Sequence, residues 1–162
     1  MRHSDHRPDV RPPQRWRFPD PTRLWLENGM QLMACHREGQ HIAAVSLVLD
    51  TPLNAEPTDL EGVATITQSC LDEGTATHPG QTFAERLEDI GAVLSGGAGY
   101  SGSELSLEVP ADRLDDALAL LAEAVREPEL RADDVGRHRA LRLAEIDHTL
   151  ANSAQRAGLA FR

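Results

Sequence analysis

Residues 62–75 read GVATITQSCLDEGT, and the helix they predict organises the rest of the chain. At 100° per residue, Val63, Ala64, Ile66, Cys70 and Leu71 fall on one side, and Thr65, Gln68, Ser69 and Asp72 on the other. Just before it, Thr58-Asp-Leu-Glu61 has the pattern of a capping box, in which a hydroxyl and a carboxylate each satisfy a backbone N–H of the first turn. Gly74 stands where a C-terminal cap is expected. The polar face therefore carries Thr65, Gln68 and Ser69 at helical spacing. Hydroxyls and an amide form hydrogen bonds there but do not titrate near neutral pH.

The flanking segments predict strands and further helices. LWLENGMQL (24–32) alternates around Asn28-Gly29, a strong hairpin signal, so strands at 24–27 and 30–36 are expected to pair. HIAAVSLVLD (41–50) reads as a third, largely buried strand. Downstream, Thr82-Phe-Ala-Glu85 forms a second capping-box pattern, opening a helix expected to stop at Gly91. A glycine-rich strand, AVLSGGAGYSG (92–102), then precedes the cleanly alternating ELSLEV (104–109), and the two are expected to be antiparallel neighbours. From Ala111, Leu114, Leu118, Leu121 and Val125 keep helical spacing until Pro128. A last helix, from about 132 to 153, sets Val135, Leu143, Ile146 and Leu150 on one stripe. Strands and helices do not alternate regularly, which predicts an α+β fold with a mostly antiparallel sheet and helices packed on one face.

Composition narrows the function. The chain has 162 residues and a net charge of −10, enough for one domain with a core. Residues 1–23 hold six Arg against three Asp, leaving ten Arg against twenty-three acids, about −13, for the remainder. A field of that sign repels phosphate backbones, so nucleic-acid binding is not expected. Residues 1–22 are rich in Arg and Pro and lack the apolar run of a signal or membrane span. They are read as a disordered leader on a cytoplasmic protein with no membrane contact, with the folded domain over 23–162. Cys35 and Cys70 lack metal-knuckle or redox spacing and are read as small buried residues.

Set together, the hairpin, the third strand, the Gly-x-Ala helix with its Gly74-Thr75, the short helix, the Gly-Ala strand and the closing helices resemble the N-terminal half-domain of the insulinase/pitrilysin family of zinc metallopeptidases. The family's zinc helix reads Gly-x-Ala-His-x-x-Glu-His, and this chain keeps Gly62, Ala64, Gly74 and Thr75 in register. The two His positions are Thr65 and Ser69, and the catalytic Glu is Gln68. Glu145, followed by Ile146, falls where the resemblance places a third ligand, and His138 where it places an acidic residue two turns earlier. Zinc wants three imidazole, carboxylate or thiolate ligands, and an amide cannot act as a general base. No catalytic residue, no metal ligand set and no cofactor are therefore expected here, with Glu145 a vestigial ligand position.

What the resemblance leaves is peptide binding. Family members hold substrate as an added strand along an edge resembling Gly-Ala-x-x-Asn-Ala-x-Thr, and the corresponding stretch here runs from Gly91 to Ala98 with Ser95, Gly96 and Gly97 at its centre. Two readings stand for it: a peptide-facing edge, since such binding uses main-chain groups, or a bulged strand weakened by its glycines. Family members also act as paired half-molecules. The expected function is thus an inactive homologue that encloses or binds peptide for a zinc-bearing partner in a heterodimer. The alternatives are a zinc endopeptidase with atypical ligands and an interaction protein without a peptidase partner. The resemblance also implies a second domain, so the chain is expected to be truncated. Other candidates carry less: His36, His41, His78 and His148 are read as solvated, Glu145 and His148 as a surface pair, and Asp115-Asp116 and Asp133-Asp134 as helix-start charges. SGGAGYSG lacks the Lys-Ser/Thr of a phosphate loop.

Overall fold

The computed structural model describes residues 17–161. The leader expected over 1–22 lies outside the described residues as far as position 16. The chain divides into two compact units whose boundary falls between Gly39 and Gln40.

In the first unit, β1 (Thr22–Trp25) pairs antiparallel with β2 (Gln31–Ala34), Trp25 opposite Gln31. The Asn28-Gly29 signal does mark a hairpin, with a longer turn than the two-residue form. Gly29 N–H donates to the Leu26 carbonyl at 2.9 Å, Gly29 alone adopts positive φ (84°), and Leu26 N–H closes the loop on the Met30 carbonyl at 2.8 Å. This is a three-residue loop ending in a left-handed glycine.

The second unit is built on a three-stranded antiparallel sheet. Its order is β3 (Ile42–Leu49), β5 (Gly102–Pro110), β4 (Val93–Gly99), so the glycine-rich strand and its partner pair as the alternation predicts. On β5 the odd positions, Ser103, Leu105, Leu107 and Val109, are buried, while Glu104 and Glu108 point to the other face. Across the register, Ala43, Val45, Leu47 and Leu49 of β3 and Leu94 of β4 line the same covered side. The third strand is therefore not largely buried: Ile42 and Val48 stand on the open face and are exposed. Period-2 side chains put half of any strand outward, and among the described residues no helix covers that half.

Three helices supply the cover. They are α1 (Val63–Cys70), α2 (Gln81–Asp89) and α3 (Leu114–Arg126), contributing Leu71 beside α1, Phe83 and Leu87, and Ala117, Leu120, Leu121 and Ala124 to the core. On α3 the buried stripe includes Ala117 and Ala124, whereas Leu118, expected inward, is exposed. Small residues let the helix lie close on β5. The helix expected over 132–153 is two: α4 (Ala132–Ala151) and α5 (Ser153–Ala160), separated at Asn152, whose Oδ1 accepts from Ala154 N–H (3.0 Å) and Gln155 N–H (3.2 Å) as an N-cap. The stripe of Leu143, Ile146 and Leu150 remains exposed.

The helix ends correct both capping-box readings. Thr58–Leu60 form a short 3-10 turn, and α1 begins after Gly62 at φ 95°. Its free N–H groups are taken by Glu56, whose Oε2 accepts from Gly62 N–H (2.9 Å) and Oε1 from Ala64 N–H (2.7 Å). Gly80, not Thr82, precedes α2, and no side chain caps it. Gly91 ends α2 as expected. Ala92 N–H reaches the Leu87 carbonyl (2.8 Å) and Gly91 N–H the Glu88 carbonyl (2.9 Å), with Gly91 at φ 66°, a Schellman closure. Gly74 is no cap of α1, which has already ended. It is held by crowding, since a Cβ there would stand 2.4 Å from Gly80 N.

The Glu56 bonds give a first expected outcome. Glu56→Ala removes two charge-assisted bonds at the positive end of α1 and should cost about 1–2 kcal/mol in urea unfolding. Glu88→Ala on the exposed side of α2 should cost less than about 0.5 kcal/mol.

Candidate functional site

The three polar residues of α1 do not face open water, because α1 lies against both β4 and α4. Gln68 is only 7% exposed, and Thr65 and Ser69 are half-buried. Ser69 Oγ donates to the Thr65 carbonyl at 3.0 Å, so the hydroxyl is occupied within its own helix. Gln68 Oε1 is buried without a hydrogen-bond partner among the described residues. It sits over β4 at Gly96: a Cβ on that glycine would come within 3.0 Å of Gln68 Oε1 and 3.3 Å of the Glu104 carbonyl oxygen. A side chain at position 96 would need the Gln68 amide to shift by a few tenths of an ångström, and the position is not held by its φ, which is outside the positive region.

Glu145 lies on α4, the helix that α1 meets. Its carboxylate is 65% exposed and bonds Arg142 Nη1 at 3.0 Å, one turn back on the same helix. No hydrogen bond joins it to Thr65, Gln68 or Ser69, and Arg142 rather than His148 is its surface partner. The side-chain bonds between the α1 segment and α4 run two turns earlier. Glu73, just past α1, accepts from Arg137 Nη2 (2.7 Å) and bonds His138 Nε2 (2.8 Å), while Arg137 also reaches Asp134 (3.2 Å). Burial pushes the Glu73 carboxyl upward, but the bonds from Arg137 and His138 outweigh it and hold the group below the ordinary glutamate value. Beside it, burial followed by the Glu73 and Asp134 charges pushes the Cys70 thiol up, as befits an inert core cysteine.

The remaining candidates separate in space. Ser95 and Gly97 lie on the open face of β4, Gly96 on the covered face, and β4 is the end strand of its sheet among the described residues. Cys70 is buried as expected, whereas Cys35 is exposed. His36, His41 and His148 are exposed, but His78 is not a solvated histidine. Its Nδ1 lies 2.8 Å from Glu123 Oε2, which also accepts from Thr75 Oγ1 (3.2 Å), tying the loop after α1 to α3. Sequence spacing gave no sign of Glu73, Glu56 or this His78–Glu123 pair. The residues of each bond are far apart along the chain or follow a helix end, where periodicity carries no signal.

With this arrangement in view, the relatives decide the family. Residues 32–159 match the sequence profile of the insulinase peptidases, family M16. The chain belongs to the insulinase family. It is 21% identical over 127 residues to an uncharacterized zinc protease of Rickettsia felis, covering 78% of this chain and 31% of that protein. Among solved structures it is similar to the inactive M16 peptidase domain from Pseudomonas fluorescens, with TM-score 0.80, 24% identity, and coverage of 87% of this chain and 34% of the other. It is also similar to pitrilysin, with TM-score 0.68, 25% identity, and coverage of 81% and 14%. The chain therefore spans about a third of the length of the relative from Rickettsia.

Zinc does not fit the donors that α1 presents. Two protonated hydroxyls, one spent on a backbone carbonyl, and a buried amide offer no anionic or imidazole ligand. Among the described residues, no three His, Cys, Asp or Glu side chains lie close enough to hold a metal ion. No hydrolytic step is drawn through zinc on this chain.

Two outcomes follow. Gly96→Ala should destabilise by about 1–2 kcal/mol through overpacking, and Gln68→Ala in the same chain should relieve much of that loss. Strictly additive losses in urea unfolding would contradict the contact. Because the Glu73 carboxyl is lowered on folding, its contribution is complete above the ordinary glutamate range and fades as pH falls through the lower folded value. Glu73→Gln should accordingly flatten the acid limb of the stability–pH curve below about pH 4–5, measured by thermal unfolding across pH.

Proposed function

We propose that this chain is a catalytically inactive insulinase-type module that binds or encloses peptide for a zinc-bearing homologous partner. The observation that carries the reading is the state of α1. Where the family resemblance expects two ligands and a base, Ser69 is bonded to its own helix and Gln68 is buried against Gly96. An amide cannot accept the proton of an attacking water, and without metal or base the two largest contributions to such hydrolysis are missing.

Peptide binding remains open to it, because strand addition uses main-chain N–H and C=O groups rather than particular side chains. The end position of β4, with Ser95, Gly96 and Gly97 at its centre, supports that use. The similarity to an M16 domain itself described as inactive supports a non-catalytic role in kind. The partner would supply zinc, and this module would hold the peptide close to it, raising its effective concentration. The chain spans about a third of its relative, so a closed chamber would need further domains.

The test combines zinc content, cleavage and capture. The full chain, dialysed against zinc and then against buffer, should retain no stoichiometric zinc and should leave a fluorogenic peptide library uncut. Tagged chain recovered from its native cell should bring down a homologue bearing an intact His-x-x-Glu-His. Stoichiometric zinc with peptide cleavage by the chain alone would replace this reading with an atypical zinc endopeptidase. Recovery of partners without any peptidase would replace it with an interaction role.

A further inference from the structure

The open face of the sheet carries a feature that the edge alone does not explain. Glu104 Oε1 accepts from Ser46 Oγ at 2.6 Å and from Ser106 Oγ at 3.3 Å, so two neighbouring hydroxyls on β3 and β5 fix the carboxylate. Oε2 takes neither of these bonds. Across the register Glu104 faces Gly97, and a hollow of about 300 Å³ lies over Ser95, Gly97, Glu104 and Ser106. A Cβ built on Gly97 would meet nothing within 4 Å. The glycine therefore leaves a lane from the free edge of β4 to the carboxylate.

The face has one sign of charge. Its outward residues are Ile42, Ala44, Ser46 and Val48 on β3, Val93, Ser95 and Gly97 on β4, and Glu104, Ser106 and Glu108 on β5. None is cationic, and neither glutamate has an ion-pair partner among the described residues. A strand added to β4 would lie about 4.8 Å outside it and about 10 Å from β5. A side chain opposite Gly97 must be long to reach Glu104 and cationic to complement it. Arginine and lysine meet both conditions.

Resting on the peptide-binding reading above, we infer that Gly97 and Glu104 form a subsite for a basic side chain of a peptide added to β4, so that the module selects peptides carrying Arg or Lys at that place. The lane depends on the missing side chain at Gly97. The selectivity depends on the charge at Glu104.

The test is fluorescence anisotropy of the full chain with a short labelled peptide of alternating threonine and valine, carrying either a central arginine or a central norleucine. The arginine peptide should bind about fivefold more tightly at low salt, the effect of one partly exposed ion pair, and the advantage should shrink as salt rises. Glu104→Gln should abolish the advantage. Gly97→Val should lower arginine-peptide binding to the norleucine level, with unchanged urea midpoints showing that both variants fold. Equal binding of the two peptides, or an arginine preference that persists in Glu104→Gln, would overturn the subsite while leaving edge binding in place. Failure of both peptides to bind would overturn the subsite and the peptide-binding reading together.

Discussion

The contact on which the site depends is between an amide and a missing side chain. α1 carries Gln68 down onto β4, and β4 receives it because position 96 has no Cβ. A carboxylate in the same buried place, with no partner, would carry a far larger desolvation cost than the amide does. The amide oxygen Oε1 has no hydrogen-bond partner among the described residues. At the positions where the resemblance expects metal ligands and a base, α1 carries packing and an internal hydrogen bond. Ser69 Oγ bonds the Thr65 backbone carbonyl within the helix, and Gln68 lies against the sheet at Gly96.

The link between α1 and α4 lies away from Glu145, the position that the resemblance reads as a vestigial ligand. In a metal site the ion would join the two helices. Here Glu73 does so, held by Arg137 and His138, while Glu145 turns to Arg142 in solvent. His138, where the resemblance expects an acid, suits this arrangement, because an acid there would repel Glu73. Two features that read as departures from the family, a histidine at 138 and a glycine at 96, are therefore each matched by a neighbour that uses them. The acidic open face is separate from this packing.

Much of this architecture was legible. The alternation of ELSLEV placed Leu105, Leu107 and Val109 inward, and Asn28-Gly29 and Gly91 marked a hairpin and a helix end, because these signals depend on residues near in sequence. What periodicity missed depends on tertiary contact. Glu56 caps α1 from outside the helix, Asn152 breaks the last helix by bonding the following N–H groups, and His78 leaves solvent for Glu123. The polar stripe of α1 was identified correctly as a stripe. Its burial against β4 required knowing that a glycine sits opposite, which no window of one helix contains. The largely buried reading of β3 failed because an apolar strand run does not say whether one face or both will be covered.

The central claim is that α1 has exchanged metal chemistry for packing. Crystals of the full chain grown with excess zinc, with anomalous diffraction recorded across the zinc absorption edge, test it most directly. The account predicts no anomalous peak near Thr65, Gln68 and Ser69, with the Gln68 amide still seated over Gly96. A zinc peak there, with Glu145 swung away from Arg142 to ligate it, would contradict the account.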